Sequence, residues 1–323
     1  MKAIRRYVYG PPEVLTVEEV PVPTLSDDDI LVRVRAAAIN PLDFHYLRGT
    51  PYLVRAVSGL SKPKVKGLGA DMAGVVEATG KNVTRFHAGD EVFGSRSETL
   101  AEFVRLAQDG VVERKPPHLT FEEAASVPVA AFTALQALRD KAHVQPQQSV
   151  LINGAGGGVG TFAVQIAKAF GAEVTGVCST AKVDLVRSIG ADHVVDYGRE
   201  DFTKTGLRYD ALIDIAGSKP VSDCRRILTR DGVLVAVGGP VKGQWISPLI
   251  GPVKLLTLSL VVSQRLLPFL AQQRREDLAV LRQLLEEEKI RPVIDKTYSL
   301  DQAPEAIRYL EEGHASGKVV ISV

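Results

Sequence analysis

The sequence predicts an α/β protein: a doubly wound parallel sheet together with a second, β-rich domain. Three observations predict it. From residue 149 onward, short apolar strands alternate with amphipathic helices, the pattern of a parallel sheet built from βαβ units. A glycine-dense turn joins the first of those strands to the first helix. Before residue 120, the chain instead holds short strand-like runs punctuated by glycine, proline and charge, which reads as a barrel-like or irregular β unit.

Taken in order, ILVRVRAAAI (30–39) alternates at its start and follows the SDDD turn cluster. AGVVEATG (73–80), DEVFG (90–94) and AEFVRLA (101–107) are the next strands, and Pro21, Pro23, Pro41, Pro51 and Pro63 keep the connections non-helical. FEEAASVPVAAFTALQALRD (121–140) reads as one helix, with Thr120 and Glu123 spaced for a capping box. SVLIN (149–153) is a strand, TFAVQIAKAF (161–170) a helix stopped by Gly171, EVTGVC (173–178) a strand, and AKVDLVRSI (181–189) a helix ending at Gly190. HVVDY, YDALIDIAG and GVLVAVGG add strands, and the chain closes on a helix (303–312) and the strand KVVISV.

Composition narrows the function classes. With 45% hydrophobic and 24% charged residues and a net charge of +1, the chain is neither disordered nor collagenous. It also lacks the basic surplus that a nucleic-acid binder uses against phosphates. Two cysteines, Cys178 and Cys224, suit a reducing compartment with both thiols free, and a cytoplasmic location is expected. The start MKAIRRYVYG has no apolar run behind its basic residues, so it does not read as a signal peptide. The apolar stretch 248–270 is interrupted by Lys254, Gln264, Arg265 and two prolines. It reads as buried or interface structure, or as a peripheral membrane contact, and not as an integral membrane segment.

The informative segment is VLINGAGGGVGTFAVQIAKAFGAEVTGV. Gly154, Gly157 and Gly160 fit G-x-x-G-x-x-G, with Gly158 and Val159 inside the turn. Strand before and helix after make this a dinucleotide cradle of the Rossmann type: glycines admit a pyrophosphate and the helix start offers its N–H groups. An NAD site would place an acid at the tip of the second strand. Here stand Cys178, Ser179, Thr180 and then Lys182, which leaves space and a cation for a 2′-phosphate, so NADPH is the expected cofactor. The alternative for Lys182 is a solvated helix lysine.

VRAAAINPLDFHYLRG, GLGADMAGVVEATGKNVTRFHAGDEVFG, AASVPVAAFTALQAL, INGAGGGVG and EGHASGKVVISV together resemble the medium-chain dehydrogenase/reductase superfamily, in its zinc-free quinone oxidoreductase-like branch, over almost the whole chain. The resemblance implies a GroES-like catalytic domain, residues 1–124 completed by 263–323. It also implies a Rossmann domain, 125–262, and a homodimer. Zinc-dependent relatives carry a cysteine ligand where this chain has Asn40, and a G-H-E motif where it has Gly69, Ala70 and Asp71. Two distant cysteines and scattered histidines supply no ligand set, and Asp71 alone cannot make a catalytic zinc site, so no metal is expected.

Without a Lewis acid, conjugated acceptors are easier hydride acceptors than simple ketones. The expected reaction is therefore hydride transfer from NADPH to a small-molecule quinone or α,β-unsaturated carbonyl. The resemblance implies that Asn40 approaches the nicotinamide. His45 stands where several relatives have a tyrosine, for which Tyr46 or Tyr52 could substitute as the acid; His45 and Tyr52 are candidate substrate contacts. Asn40 before Pro41 is equally a turn residue, and Asp43 a helix cap. By the same resemblance Thr133 faces the nicotinamide, Tyr197 contacts the adenosine end or the 2′-phosphate, and Gly317-Lys318 reaches back to the nicotinamide. Helix packing, a half-exposed strand tyrosine and a surface cation are the respective alternatives. Gly217 and the pair Gly238-Gly239 end later strands, where ligands sit in such sheets. The residues 47–66 border the substrate entrance, and their cations Arg48, Arg55, Lys62, Lys64 and Lys66 either favour an anionic substrate or simply keep the rim soluble. Two rival readings stay open: a metal-free alcohol dehydrogenase or carbonyl reductase, and a non-catalytic NADPH-binding sensor.

Overall fold

The computed structural model describes residues 1–238, 253, 255, 257–259 and 261–323. Two compact units partition the chain. The first comprises Met1–Ala130, Gln273–Glu286 and Pro292–Val323, and the second Ala131–Gln272 and Glu287–Arg291.

In the first unit, β1 (Lys2–Arg5) and β2 (Thr16–Glu19) pair as a small antiparallel ribbon. The long strand β3 (Asp29–Ile39) is followed by two short helices, α1 (Pro41–Arg48) and α2 (Leu53–Ser58), then by β4 (Asp71–Thr79), β5 (Glu91–Ser95), β6 (Phe103–Ala107), β7 (Val112–Arg114) and α3 (Phe121–Ala125). Alternation along β3 puts Ile30, Val32 and Val34 into the core with Leu47, Met72, Val76 and Val104.

The second unit begins within α4 (Pro128–Gln136). Where the sequence pattern predicts one helix over 121–140, α3 and α4 are separate helices. Pro128 disfavours helical geometry at Val127 and brings no N–H of its own, so the first helix ends and a second starts at the proline. Six strands follow, alternating with helices: β8 (Ser149–Asn153), α5 (Gly158–Ala169), β9 (Glu173–Cys178), α6 (Val183–Ser188), β10 (His193–Asp196), β11 (Tyr209–Asp214), α7 (Val221–Arg226), β12 (Leu228–Ala236) and β13 (Arg265–Pro268). All neighbours are parallel, in the order β10-β9-β8-β11-β12-β13. The strand order reverses between β8 and β11, the switch point at which such sheets bind ligands. Because β13 pairs with β12 in the register Val233↔Arg265, residues 263–272 belong to the parallel sheet's unit. The boundary expected at 262/263 therefore moves to 272/273, and the one expected at 124/125 to 130/131.

The chain then returns to the first unit through α8 (Arg275–Glu286), β14 (Ile294–Ser299), α9 (Ala303–Glu311) and β15 (Lys318–Ser322). Helix α8 buries Leu278, Leu281 and Leu285 on one face. Strand β15 adds to β3 antiparallel, Val319 opposite Ile39, while β4 pairs on the other side, Asp71 opposite Ala38. That double register brings Asn40, Asp71 and Lys318 together.

Candidate active site

Each unit carries one cluster of polar groups. In the first, Asn40 follows the last residue of β3 and precedes Pro41, the first residue of α1. Its side chain faces the first turn of α1 as part of a capping box and also reaches the neighbouring strands. The amide nitrogen donates to Asp71 Oδ2 at 3.0 Å, and the amide oxygen accepts from Lys318 Nζ at 2.6 Å. The same ammonium lies 3.5 Å from Asp71 Oδ2. Asp71 Oδ1 accepts the Val129 N–H at 3.0 Å, in the first turn of α4, where the helix dipole favours a carboxylate. Asn40, Asp71 and Lys318 are all buried. Burial pushes the Asp71 carboxyl up and the Lys318 ammonium down, each opposed by the other's charge.

Asp43 completes the cluster from α1. Its Oδ2 accepts the Asn40 N–H at 2.7 Å and its Oδ1 the Gly69 N–H at 3.0 Å. It thus caps its own helix and also pins the loop that leads into β4. Burial holds its carboxyl up at about 6, against these two donors. His45 and Tyr52 lie elsewhere on the same segment. His45 Nδ1 is 3.0 Å from the Thr50 carbonyl, and Tyr52 sits beneath the Arg55 guanidinium, 4.8 Å from its ring centre. Neither bonds to the Asn40 cluster in the described contacts. A carbonyl only accepts, so His45 carries its proton on Nδ1.

The second unit holds the glycine turn. Gly154 has φ +94° and donates to the Val177 carbonyl, as Ala155 does, at 3.1 and 3.0 Å. Gly157 caps α5, whose first intrahelical bond is Thr161 N–H to the Gly157 carbonyl. The N–H groups of Gly158, Val159 and Gly160 precede that bond and face outward from the helix start. A Cβ on Gly160 would lie 2.1 Å from the Gly154 carbonyl oxygen, so packing alone demands glycine there. A Cβ on Gly157 would meet only that oxygen, at 3.6 Å. The protein's own packing does not require this glycine, whereas an anion approaching the helix start does. The turn therefore fits a dinucleotide pyrophosphate.

Lys182 lies against this turn: a Cβ on Gly156 would meet its side chain at 2.7 Å. Ser179 precedes a short turn, Thr180–Lys182, at the tip of β9. Thr180 donates its hydroxyl proton to Asp196 Oδ2 at 2.7 Å. Asp196 also accepts the Gly198 N–H and pairs with Arg199 at 3.3 Å. Tyr197 is exposed, its backbone N–H bonded to the Cys178 carbonyl. At the switch point, Asn153 Nδ2 donates to Asp214 Oδ1 at 2.7 Å and the Gly217 N–H to the same oxygen at 2.9 Å. Gly238 closes on the Ile215 carbonyl, where a Cβ would come within 2.6 Å. Thr133 is half-buried on α4. Gly239, and Trp245 with much of 248–270, lie outside the described residues. Cys178 and Cys224 are buried free thiols, pushed up by burial to about 11 and about 12.

Three residues escaped the sequence reading as site members. Asp71 was weighed only as a zinc ligand, and Asp196 and Asp214 end strands β10 and β11 without a motif around them. The one signal for Asp196 and Asp214 is position, each an acid at the C-terminal end of a strand of the parallel sheet, whereas Asp71 begins β4. Among the described residues, no group of three or more His, Cys, Asp or Glu could hold a metal ion, and no helix is long and apolar enough to cross a membrane.

Comparison with known proteins agrees with this geometry. Residues 26–129 match the family model described as alcohol dehydrogenase GroES-like domain, and residues 189–321 the one described as zinc-binding dehydrogenase. The chain is 32% identical to the chloroplast envelope quinone oxidoreductase homolog of Arabidopsis thaliana, over 94% of this chain and 92% of that protein. It is 33% identical to the 2-methylene-furan-3-one reductase of Solanum lycopersicum, over 99% and 79%. The solved structure of the quinone oxidoreductase from Coxiella burnetii superposes with a TM-score of 0.87 at 31% identity, covering 100% of this chain and 99% of that one.

Proposed function

Because the chain belongs to the medium-chain dehydrogenase/reductase superfamily, in its zinc-free quinone oxidoreductase-like branch, we propose that this oxidoreductase uses NADPH, without zinc, to reduce quinones or α,β-unsaturated carbonyls. One observation carries the reading. Where zinc-dependent relatives place metal ligands, Asn40 and Asp71 hold the ammonium of Lys318. A fixed ammonium stabilises a developing oxyanion less strongly than a Lewis acid polarises a carbonyl. Conjugated acceptors need less polarisation, because their charge spreads over the enolate or quinol. The names of the relatives agree with such acceptors.

Bound NADPH supplies the hydride from its nicotinamide ring. The residues then divide as follows. The N–H groups of Gly158, Val159 and Gly160 receive the pyrophosphate. Lys182 and Ser179 take the 2′-phosphate, while Thr180, whose proton is committed to Asp196, contributes little. Asp196 already accepts from three groups, so it is poorly placed to select a ribose 2′-hydroxyl. Tyr197, Gly217, Gly238 and Thr133 line the remaining cofactor path in this proposal. Asn40 and Lys318 serve the reacting end, and His45 and Tyr52 contact the acceptor. With its Nδ1–H turned to Thr50, His45 donates a proton from Nε2 only as an imidazolium.

The test is cofactor oxidation with a naphthoquinone, a linear enone and a simple aldehyde, using NADPH or NADH, with a chelator present. The expected result is quinone or enone turnover with NADPH. Lys182→Ala should raise the KM for NADPH about tenfold or more and leave that for NADH unchanged. Turnover of the aldehyde alone would replace this reading by a carbonyl reductase. Bound NADPH without any turnover would replace it by a sensor.

A further inference from the structure

The first unit contains a cavity of about 450 Å³, lined among others by Arg6, Leu42, Asp43, Tyr46, Lys64 and Leu68. Its volume is that of an ordinary small-molecule site. Most of its wall is apolar, and its charged groups are unequally matched. Arg6 is only 2% exposed. One of its terminal nitrogens donates to the Tyr46 carbonyl, while Nε has no hydrogen-bond partner. Among the described residues, no carboxylate forms an ion pair with it.

The two acids of the cavity are committed elsewhere. Both oxygens of Asp43 are bonded, to the Asn40 and Gly69 N–H groups. Glu98 is paired with Arg5 at 2.6 Å and accepts the Gly67 N–H at 2.9 Å. Lys64 adds a second positive charge at the wall, also without an ion pair among the described residues. Asp43 acts on this guanidinium through space and the Tyr9 ring lies 5.7 Å from it, but a buried cation with no direct ion pair remains costly unless an anion completes it. Its planar fork is shaped for a carboxylate.

We propose that this cavity binds the carboxylate end of the hydride acceptor, with Arg6 as its partner, so that the preferred substrates are anionic enones or quinones. The apolar wall at Leu42, Tyr46 and Leu68 takes the hydrocarbon next to the carboxylate. Asp43, bonded to the backbone of Asn40, connects the cavity wall to the Asn40–Asp71–Lys318 cluster. This inference rests on the reductase reading for the word substrate, but not for the binding site itself.

The experiment separates the two. Calorimetric titration of the purified protein with octanoate and with octanol measures the site without turnover. Initial rates with a linear enone ending in a carboxylate, and with its methyl ester, measure it as a substrate site. The expected result is octanoate bound about 10- to 100-fold more tightly than octanol, and a similar preference in kcat/KM for the acid over the ester. Arg6→Met should abolish both preferences and Arg6→Lys keep part of them. Lys64→Gln, at an exposed position, should lower both about two- to threefold. Equal binding of octanoate and octanol by the wild-type protein would overturn the proposal, whatever the variants do, as would preferences that survive Arg6→Met. Octanoate binding that depends on Arg6, with neither enone reduced, would retain the anion site and remove the reductase reading. Turnover of both enones at equal efficiency would keep the reductase reading and overturn the assignment of this cavity to the acceptor.

Discussion

Removing the Lys318 ammonium tests the buried cluster most directly. In Lys318→Met, Asp71 keeps the Asn40 amide and the Val129 N–H but loses the ammonium beside it, and Asn40 Oδ1 loses its donor. Breaking a buried ion pair by deleting one partner costs about 3–5 kcal/mol, because the remaining charge is left uncompensated. The cost is capped by protonation. Burial already pushes the Asp71 carboxyl above its ordinary value, and without Lys318 it rises further. The variant therefore loses stability as pH rises from the unfolded carboxylate value through the raised folded value, and its deficit against wild type is larger near about pH 7 than near about pH 5. Adding Asp71→Asn removes the stranded charge, since the introduced amide oxygen still accepts the Val129 N–H and Asn40 can turn to accept from the new amide nitrogen. The double variant should then be only about 1–2 kcal/mol below wild type; since Asp71→Asn alone strands the Lys318 ammonium and is itself destabilising, the coupling is at least about 2–3 kcal/mol. Urea unfolding followed by far-ultraviolet circular dichroism measures each corner of the cycle. A coupling under about 1 kcal/mol, or a deficit in Lys318→Met that does not grow with pH, would refute the reading of these residues as a buried charge pair.

Two further expectations follow from the same geometry. Gly157→Ala should fold with wild-type thermal stability yet bind NADPH about tenfold or more weakly, whereas Gly160→Ala should lose stability as well, its Cβ being driven to 2.1 Å from the Gly154 carbonyl; thermal melts and fluorescence titration distinguish the two. The Asp43 carboxyl, held up at about 6 against 3.8 when unfolded, makes the folded protein take up protons between those values, so stability falls by about 3 kcal/mol as pH rises through that window. Asp43→Asn should flatten the melting temperature over this range, at a cost of about 1–3 kcal/mol for the one N–H it leaves unpaired; an unchanged slope would mean Asp43 is not the titrating group.

How much of this was legible in the sequence depended on how far apart the participating residues lie. The phosphate cradle is contiguous: strand, turn and helix occupy 149–169, and each glycine's reason is a clash or a dihedral within the same turn. Even there, Lys182 against Gly156 was readable only as a nearby cation, since the side chain's path over the turn is set by packing. The helix over 121–140 was misread because its apolar periodicity continues across Pro128, and periodicity carries no information about a missing N–H. Helix α8 went unassigned, although Leu278, Leu281 and Leu285 repeat at helical spacing.

The polar cluster of the first unit shows the opposite limit. Asn40 and Lys318 are 278 residues apart, and they meet because β15 pairs with β3 one residue from each of them, while β4 on the other side delivers Asp71. No local pattern encodes such a register; only the resemblance placed Asn40 and Lys318 near one cofactor end, and it said nothing of the bond between them. Asp71 was discounted because one carboxylate cannot hold zinc, an argument about a metal that missed the lysine. The same reasoning applied at Arg6 leads outward. There too the chain buries a cation, but Asp43, the acid that acts on it, spends both oxygens on backbone N–H groups and forms no ion pair with it, and the difference between the two sites is what marks one as an internally completed charge pair and the other as a place for a ligand.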